Sequence, residues 1–323
     1  MGVNLRDIIP HQDITFDDLK GKTIAVDALN TIYQFLSSIR QPDGTPLMDS
    51  NGRVTSHLTG LLYRTANLLR LGVKPVYVFD GEPPELKKTT LRERRMAKEK
   101  AMGEMEAAKR EGRMDDALKY AKRTSKVTGE MLEESKNLLC HMGIPFIQAP
   151  GEGEAQCVYL CVKGEAWAVG SQDYDALLFG APRLVKGLTM SGKLELSLVD
   201  LKDSLSSLGL TREQLIDVAI LVGTDFDPGV KGIGPKKALK AVKEDAMGEL
   251  EFDFDIDEVR EIFLNPPVVE DYSLEWGSID EESLVELLCG RHDFSENRVR
   301  KAVSDVRNSF KDFSQKTLDS WFT

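Results

Sequence analysis

The chain has 323 residues and a formal net charge of −11, with 41% hydrophobic and 29% charged residues. These proportions are ordinary for a soluble globular protein of one large domain or two small ones. No apolar run approaches the ~20 residues that a membrane-spanning helix needs, so we expect no membrane partner. The N-terminal residues lack the pattern of a secretory signal, and the cysteines stand in apolar contexts, so we expect a reduced, intracellular protein.

Positive charge is concentrated in one segment of this acidic chain. Residues 87–126 hold fourteen Lys or Arg and seven Asp or Glu, so the segment carries +7 and the remainder −18. A basic segment on an acidic body indicates a negatively charged partner, for which phosphate groups are the obvious candidate. The alternative is a solvated helix face with many salt bridges, and the charge pattern alone favours neither.

Short strands alternate with amphipathic helices in the first half of the chain. Strands are predicted in "KTIAVDALN", "VKPVYVFDG", "GIPFIQAPGEGE" and "AWAVGSQDYD", and helices at residues 54–71, 130–142 and 154–163. This alternation predicts an α/β fold with a mainly parallel, twisted sheet and helices on both faces.

Residues 86–128 depart from this alternation. They are rich in helix-forming residues, but their thin apolar stripe consists of Ala and Met and leaves little to bury. We therefore predict one or two basic helices that project from the core, with Gly103 and Gly112 as candidate breaks. In the remainder, residues 197–241 are predicted to be helical, residues 243–263 to be a solvated acidic surface, and residues 279–310 to form closing helices.

Seven acidic residues follow apolar segments: Asp27, Asp80, Glu152, Glu154, Asp173, Asp175 and Asp225. The carboxyl ends of parallel strands meet at one edge of a sheet, where ligands bind. Two carboxylates ~4 Å apart repel by about 4 kcal/mol at an effective dielectric near 20, so seven together require protons or cations. Oxygen ligands without nearby His or Cys favour Mg²⁺ or Mn²⁺, and the number of acids fits two ions, an arrangement that serves phosphoryl displacement.

The alternative for this group is seven unrelated helix caps and surface acids. A single Asp after a strand is most often an N-cap or a turn residue. Several acid-bearing strand ends at one edge favour the metal site over that alternative.

A glycine-rich turn within residues 211–241 predicts a second phosphate-binding element. Gly232 and Gly234 open a helix at a proline, where free backbone N–H groups bind phosphate, and Lys236, Lys237 and Lys240 add positive charge. This pattern is that of a helix-hairpin-helix, which holds the backbone of duplex DNA without recognising bases. The alternative is an ordinary glycine turn before a basic helix.

Five motifs together resemble the flap endonucleases, structure-specific 5′ nucleases of replication and repair. The motifs are "VDALNTIYQFL", "YVFDGEPPELKKTTLRERR", "APGEGEAQC", "GSQDYDALLFG" and "LVGTDFDPGVKGIGPKKAL". They occur in the family's order, and the resemblance extends from Gly2 to the C-terminus. It implies a single nuclease domain over residues 1–313, with a helical arch at about 86–128 that admits a 5′ flap.

The resemblance also implies a role for each matching residue. Asp27, Asp80, Glu152 and Glu154 would hold a first metal ion, Asp173 and Asp175 a second, and Asp225 would act through water. Lys87 and Arg94 match the basic pair that polarises the scissile phosphate. Tyr33 matches the aromatic residue that stacks on the terminal base. Gly229 and Val230 match a loop that carries a monovalent cation.

The C-terminal residues 314–323 resemble a sliding-clamp-binding box, in which Gln315, Leu318, Trp321 and Phe322 carry the contacts. The alternative is a final helix that packs on its own core. No long basic extension follows this box, and in this respect the chain resembles archaeal members of the family. We therefore expect a prokaryotic, cytoplasmic and nucleoid-associated monomer rather than a nuclear protein.

These features predict a flap endonuclease with associated 5′–3′ exonuclease activity, acting on branched DNA by two-metal-ion hydrolysis. Three alternatives remain at this point. They are a related 5′ exonuclease of mismatch or excision repair, a non-catalytic DNA-structure binder tethered to the clamp, and an RNase that shares the acidic core.

Overall fold

A seven-stranded sheet lies at the centre of the computed structural model, which describes residues 2–121, 124–189 and 196–319. The strands are β1 (Gln12–Ile14), β2 (Thr23–Asp27), β3 (Lys74–Phe79), β4 (Phe146–Gln148), β5 (Ala168–Gly170), β6 (Arg183–Lys186) and β7 (Leu196–Asp200). Their spatial order is β1-β7-β6-β5-β2-β3-β4, and the five strands from β6 to β4 are parallel. The predicted α/β fold with a mainly parallel sheet is confirmed.

Helices flank both faces of the sheet. They are α1 (Ala28–Ser38), α2 (Ser56–Arg70), α3 (Lys87–Arg110), α4 (Met114–Ala121), α5 (Gly129–His141), α6 (Gly153–Val162), α7 (Asp175–Leu178), α8 (Leu201–Leu208), α9 (Arg212–Val222), α10 (Pro235–Lys243), α11 (Ile256–Leu264), α12 (Glu281–Val285) and α13 (Glu296–Asp319). Across the described ranges, no helix has the length and apolar character that spanning a membrane would require.

The alternation of side chains along β3 divides the core into two halves. Val76 and Val78 face one side, with α6, α7, α9 and α11, whereas Tyr77 and Phe79 face the other, with α1, α2 and α5. Successive residues of a strand point to opposite faces, so a strand buried on both sides is apolar throughout. The covered faces leave only the ends of the strands available to a ligand.

The antiparallel edge of the sheet differs from the sequence prediction. Residues 197–200 were expected to be helical, but they belong to β7, which pairs antiparallel with β6 and β1. A run of five residues is too short for its periodicity to distinguish a strand from a helix. The helix begins only at Leu201, where the Asp200 side chain accepts a hydrogen bond from the N–H of Asp203.

The acidic segment 243–263 is only partly a solvated surface. It contains α11, which buries Val259 and Phe263 at a spacing of four residues. The Phe263 ring lies 5.0 Å from the Phe179 ring and 5.3 Å from the Phe226 ring. The many acids around these two residues conceal the apolar stripe, so the expectation of a featureless surface is wrong for this helix.

The predicted basic helices are present as α3 and α4, which pack on each other. Gly103 does not interrupt α3, which continues to Arg110, so that predicted break is wrong. The chain turns at Gly112, whose φ of +71° is accessible to glycine at little cost. Ala101 and Ala108 are the buried side chains of α3 among those described, which agrees with its weak apolar stripe.

A buried polar network joins α2 to three segments that are distant in sequence. Nε2 of His57 lies 3.1 Å from one oxygen of Glu134 in α5. Nε2 of His292 lies 3.0 Å from the other oxygen, outside hydrogen-bond geometry, and its Nδ1 lies 3.2 Å from Asp49. Both histidines are buried, so Glu134 stabilises His57 through its hydrogen bond and His292 through its nearby negative charge.

We predict that Glu134→Ala lowers the free energy of unfolding by about 2–4 kcal/mol, because it removes the acceptor of the buried His57 and the negative charge beside the buried His292. Urea denaturation followed by circular dichroism measures this change. The matched control is Glu133→Ala, because Glu133 is exposed and pairs only with Lys136 among the described residues. The control should change stability by less than about 0.5 kcal/mol, and equal effects of the two substitutions would contradict the assignment.

Candidate active site

The carboxyl edge of the parallel strands carries the acidic residues singled out from the sequence. Asp27 ends β2, Asp80 follows β3, and Asp173 lies after β5. The others begin or follow helices at the same edge: Glu152 and Glu154 at the start of α6, Asp175 at the start of α7, and Asp225 after α9. All seven interact electrostatically with at least one other member or with Lys87.

Backbone N–H groups orient two of these carboxylates. Asp27 is the N-cap of α1, and its Oδ1 accepts a hydrogen bond of 2.9 Å from the N–H of Asn30. Asp80 accepts a hydrogen bond of 2.5 Å from the N–H of Gly153. This bond joins the end of β3 to the first turn of α6. These hydrogen bonds hold both side chains at the sheet edge. Asp27 is therefore a helix cap, as the alternative to a metal site expected, but a capping carboxylate can also be a metal ligand.

The N-terminal residues complete the site at Asp175. The N–H of Val3 donates a hydrogen bond of 2.7 Å to its Oδ1. A Cβ atom at Gly2 would lie 2.5 Å from the same carboxylate, so only glycine allows this approach. Sequence analysis missed both residues, because no local pattern near the N-terminus indicates a contact 172 residues away.

Burial and mutual repulsion favour the protonated form of these acids. Burial, reinforced by the charge of Glu152, raises the pKa of Asp80 to about 6. Burial, reinforced by the charge of Asp225, raises the pKa of Asp175 to about 7. Burial also raises the pKa of Asp27 and of Glu154 well above their ordinary values, with the neighbouring carboxylates adding to it. Such shifts mark a site where cations would be bound strongly.

Two basic side chains from α3 reach into this group. Lys87 contacts Glu152, and its Nζ lies 3.8 Å from Asp225. Arg94, seven residues and two helical turns later, contacts the other oxygen of Asp225. The basic arch thus begins at the acidic edge, and its first helix brings two positive charges to it.

Polar side chains behind the acids hold two of them in place. The Asn30 side chain donates a hydrogen bond of 2.7 Å to Asp173, and the Ser171 hydroxyl donates one of 2.7 Å to Glu154. Sequence analysis did not single out either residue. The only feature of the sequence that could have indicated them is their place in the motifs around Asp27 and Asp173.

Tyr33 lies in α1 close to the arch. Its side chain is 39% exposed, and Nζ of Lys98 in α3 lies 5.5 Å from the ring centroid. An exposed aromatic ring beside a lysine offers a stacking surface to a nucleic-acid base.

The region predicted to form a helix-hairpin-helix contains α9, a turn and α10. Gly234 is the N-cap of α10, and a Cβ added at Gly232 or Gly234 would meet no atom within 4 Å, so this backbone is open to a ligand. The side chains of Lys236, Lys237 and Lys240 are exposed beside it. The turn before it contains Gly229, whose N–H donates to Asp227, and Val230, whose N–H donates to the carbonyl of Leu221.

The C-terminal residues are described only in part. The backbone of Gln315 and Leu318 lies in α13, whereas Trp321 and Phe322 lie outside the described residues. The predicted boundary between residues 313 and 314 falls within α13.

The acidic edge has the donor set for hard divalent ions but no preformed coordination shell. Among the described residues, no three Asp, Glu, His or Cys side chains already converge as ligands of one metal ion. Lys87 and Arg94 engage Glu152 and Asp225, whereas backbone N–H groups or polar side chains donate to the other five. The oxygen-only donors and the raised pKa values nevertheless fit Mg²⁺ or Mn²⁺, for which small rearrangements of these side chains are required.

Comparison with known proteins places the chain in a family. Residues 1–101 match the XPG N-terminal domain and residues 143–225 match the XPG I-region. Flap endonuclease 1 of Pyrococcus furiosus is 52% identical, covering 100% of this chain and 99% of that protein.

Solved structures agree with this relationship. The flap endonuclease-1 of Methanococcus jannaschii has a TM-score of 0.81 and 44% identity, covering 96% of this chain and 99% of that one. The catalytic core of Rad2 in complex with a DNA substrate has a TM-score of 0.72 and 26% identity, covering 92% and 96%. Nucleases of this family are metal-dependent and bind branched DNA. This chain belongs to the flap endonuclease family and is a structure-specific nuclease that hydrolyses phosphodiester bonds of DNA.

Proposed function

We propose that the acidic edge is the centre at which this nuclease cuts branched DNA next to the junction of single strand and duplex, using two divalent ions. The observation that carries the proposal is the meeting of seven carboxylates, several of them buried, at one edge of the sheet. The same centre would hydrolyse the phosphodiester bond in both activities, at the base of a 5′ flap in one and at a 5′ end of the DNA in stepwise 5′–3′ exonuclease cleavage.

The residues would share the ions in two groups. Asp27, Asp80, Glu152 and Glu154 would hold the first ion, Asp173 and Asp175 the second, and Asp225 would act through water. Mg²⁺ is the ion we propose, with Mn²⁺ as a substitute. When bound, such ions lower the pKa of a water molecule and stabilise charge on the leaving oxygen. Glu154 interacts with Asp27 and with both Asp173 and Asp175, which supports a position between the two groups.

The basic residues would act on the phosphate and the base. Lys87 and Arg94 now pair with Glu152 and Asp225, and the scissile phosphate would compete for the same donors, because charge-assisted bonds to phosphate oxygens are strong. Tyr33 would stack on the terminal base, which is worth about 1–3 kcal/mol.

The arch and the hairpin would position the DNA on either side of this centre. The basic arch would admit the single-stranded flap. Backbone N–H groups at Gly232 and Gly234, with the three exposed lysines, would hold the duplex by its phosphates. A monovalent cation would support the loop at Gly229 and Val230. Specificity would then depend on the shape of the junction and not on base sequence.

The C-terminal tail would attach the enzyme to a sliding clamp through Gln315, Leu318, Trp321 and Phe322. We propose that the nuclease domain comprises residues 1–313, that residues 314–323 form the tail, and that the protein is a monomer. The similar archaeal proteins support a prokaryotic, cytoplasmic and nucleoid-associated setting.

We predict that Asp175→Asn lowers the cleavage rate on an end-labelled double-flap DNA by at least about 10²–10³-fold, because it removes one ligand charge from the centre. Binding of the same DNA in Ca²⁺ should remain within about threefold of wild type. Asp203→Asn, an exposed acid of α8, is the control and should leave the rate unchanged. Cleavage by Asp175→Asn at the wild-type rate would refute the assigned centre, and preferential cutting of single-stranded RNA would favour an RNase instead.

The metal-free protein should lose stability with rising pH. The folded pKa of Asp175, about 7, lies above its ordinary value of 3.8, so the unfolded chain releases the proton first as pH rises. The contribution of Asp175 to stability is therefore fully present below about pH 4 and is lost between about pH 4 and pH 7. Binding of Mg²⁺ to the ionised acids should offset this loss.

We expect 10 mM MgCl₂ (roughly 100 Kd) to stabilise the protein by about 2.7 kcal/mol at pH 8 and by much less at pH 5. Differential scanning calorimetry of metal-free protein, with KCl at matched ionic strength as the control, measures the difference in Tm. An equal Mg²⁺ effect at both pH values would contradict the metal assignment.

We predict that Trp321→Ala with Phe322→Ala abolishes binding to a prokaryotic sliding clamp, because the two aromatic rings would supply most of the buried contact. Cleavage of flap DNA without the clamp should stay at the wild-type rate. Surface plasmon resonance on immobilised clamp measures the first effect. Unchanged clamp binding by the double variant would refute the proposed tail.

A further inference from the structure

A third basic residue, Lys186, lies at the acidic edge and has no part in the function proposed above. It is the last residue of β6, and β6 is the parallel neighbour of β5, the strand that leads to Asp173. No motif of the family resemblance includes it. Its position at the carboxyl end of a central parallel strand brings its charge to the same edge as the acids.

The contact that Lys186 makes is with an aromatic ring. Its Nζ lies 3.4 Å from the ring centroid of Tyr174, a cation–π contact. Tyr174 is 7% exposed and stands between Asp173 and Asp175 in sequence. Movement of the Lys186 side chain would therefore be transmitted to the turn that carries both carboxylates.

The charges around Lys186 come from the acidic edge. Burial lowers the pKa of Lys186 to about 8, while the carboxylates of Asp173 and Glu154 act in the opposite direction. The charge of Arg6, from the N-terminal segment, disfavours the protonated form. An ammonium group in such a position is retained against the cost of its burial by the neighbouring negative charges.

The charge balance of the metal-loaded acidic edge indicates what Lys186 contributes. Seven ionised carboxylates and two divalent ions leave three negative charges at the edge. Lys87 and Arg94 supply two positive charges through direct contacts. Lys186 supplies a third, and Arg6 adds positive charge nearby, so that the loaded edge has no net negative charge and a DNA phosphate can approach it without net repulsion.

We propose that Lys186 is a positioning residue that orients the Asp173–Asp175 turn through the Tyr174 ring and whose charge weakens metal binding while favouring DNA binding. This inference rests on the metal-dependent function proposed above. Removal of the charge should strengthen the attraction for divalent cations and weaken that for the polyanionic substrate. A purely structural role would change both affinities in the same direction.

The test compares Lys186→Met with Lys186→Arg, which keeps the charge. The control is Lys163→Met, because the Lys163 ammonium also lies over a tyrosine ring, that of Tyr159 at 5.2 Å, but at an exposed position. Titration calorimetry of metal-free protein with MgCl₂ gives the metal affinity. Steady-state cleavage of flap DNA at saturating Mg²⁺ gives KM and kcat separately.

We expect Lys186→Met to bind Mg²⁺ roughly three- to tenfold more tightly and to raise KM for DNA by a similar factor, with a smaller change in kcat. Lys186→Arg and Lys163→Met should resemble wild type. Unchanged or weaker Mg²⁺ binding by Lys186→Met would overturn the proposal. Lys186→Gln is measured in parallel and carries the test if the Met variant does not fold. If wild type itself binds no Mg²⁺, the proposed metal centre fails as well, which separates the two failures.

Discussion

The mutual repulsion of carboxylates at the end of a parallel sheet is the constraint on which the other features of this protein depend. Parallel strands direct their carboxyl ends to one edge, and here these ends lead to Asp27, Asp80 and Asp173. Helix starts bring further acids to the same place. Such a group destabilises the fold unless protons or positive charges join it, so this edge combines a high electrostatic cost with the chemistry that attracts cations.

The positive elements are arranged around that edge. The first arch helix begins with Lys87 and brings Arg94 into contact with Asp225. The connection between α9 and α10 contains both Asp225 and the glycine-rich turn at Gly232, so the acid and this turn belong to the same segment. In the proposed function, the junction of flap and duplex would contact both elements at once, so their relative placement would select substrates by shape.

The sequence predicted the central strands well, and the acids that it singled out lie together at one edge of the sheet, because both features depend on local patterns. A buried parallel strand is a short apolar run, and an acid directly after it is visible without knowledge of the fold. Other features depend on contacts between distant residues. The pairing of β7 with β6, the approach of Gly2 and Val3 to Asp175, and the hydrogen bond from Asn30 to Asp173 have no local signature. The stripe of Val259 and Phe263 was concealed by acids on the exposed face of the same helix.

Anomalous diffraction from crystals soaked in Mn²⁺ would establish whether the seven carboxylates bind two divalent ions. We expect two anomalous peaks, one among Asp27, Asp80, Glu152 and Glu154 and one beside Asp173 and Asp175. Peaks located elsewhere on the surface, or no peak at this edge at saturating Mn²⁺, would contradict this assignment.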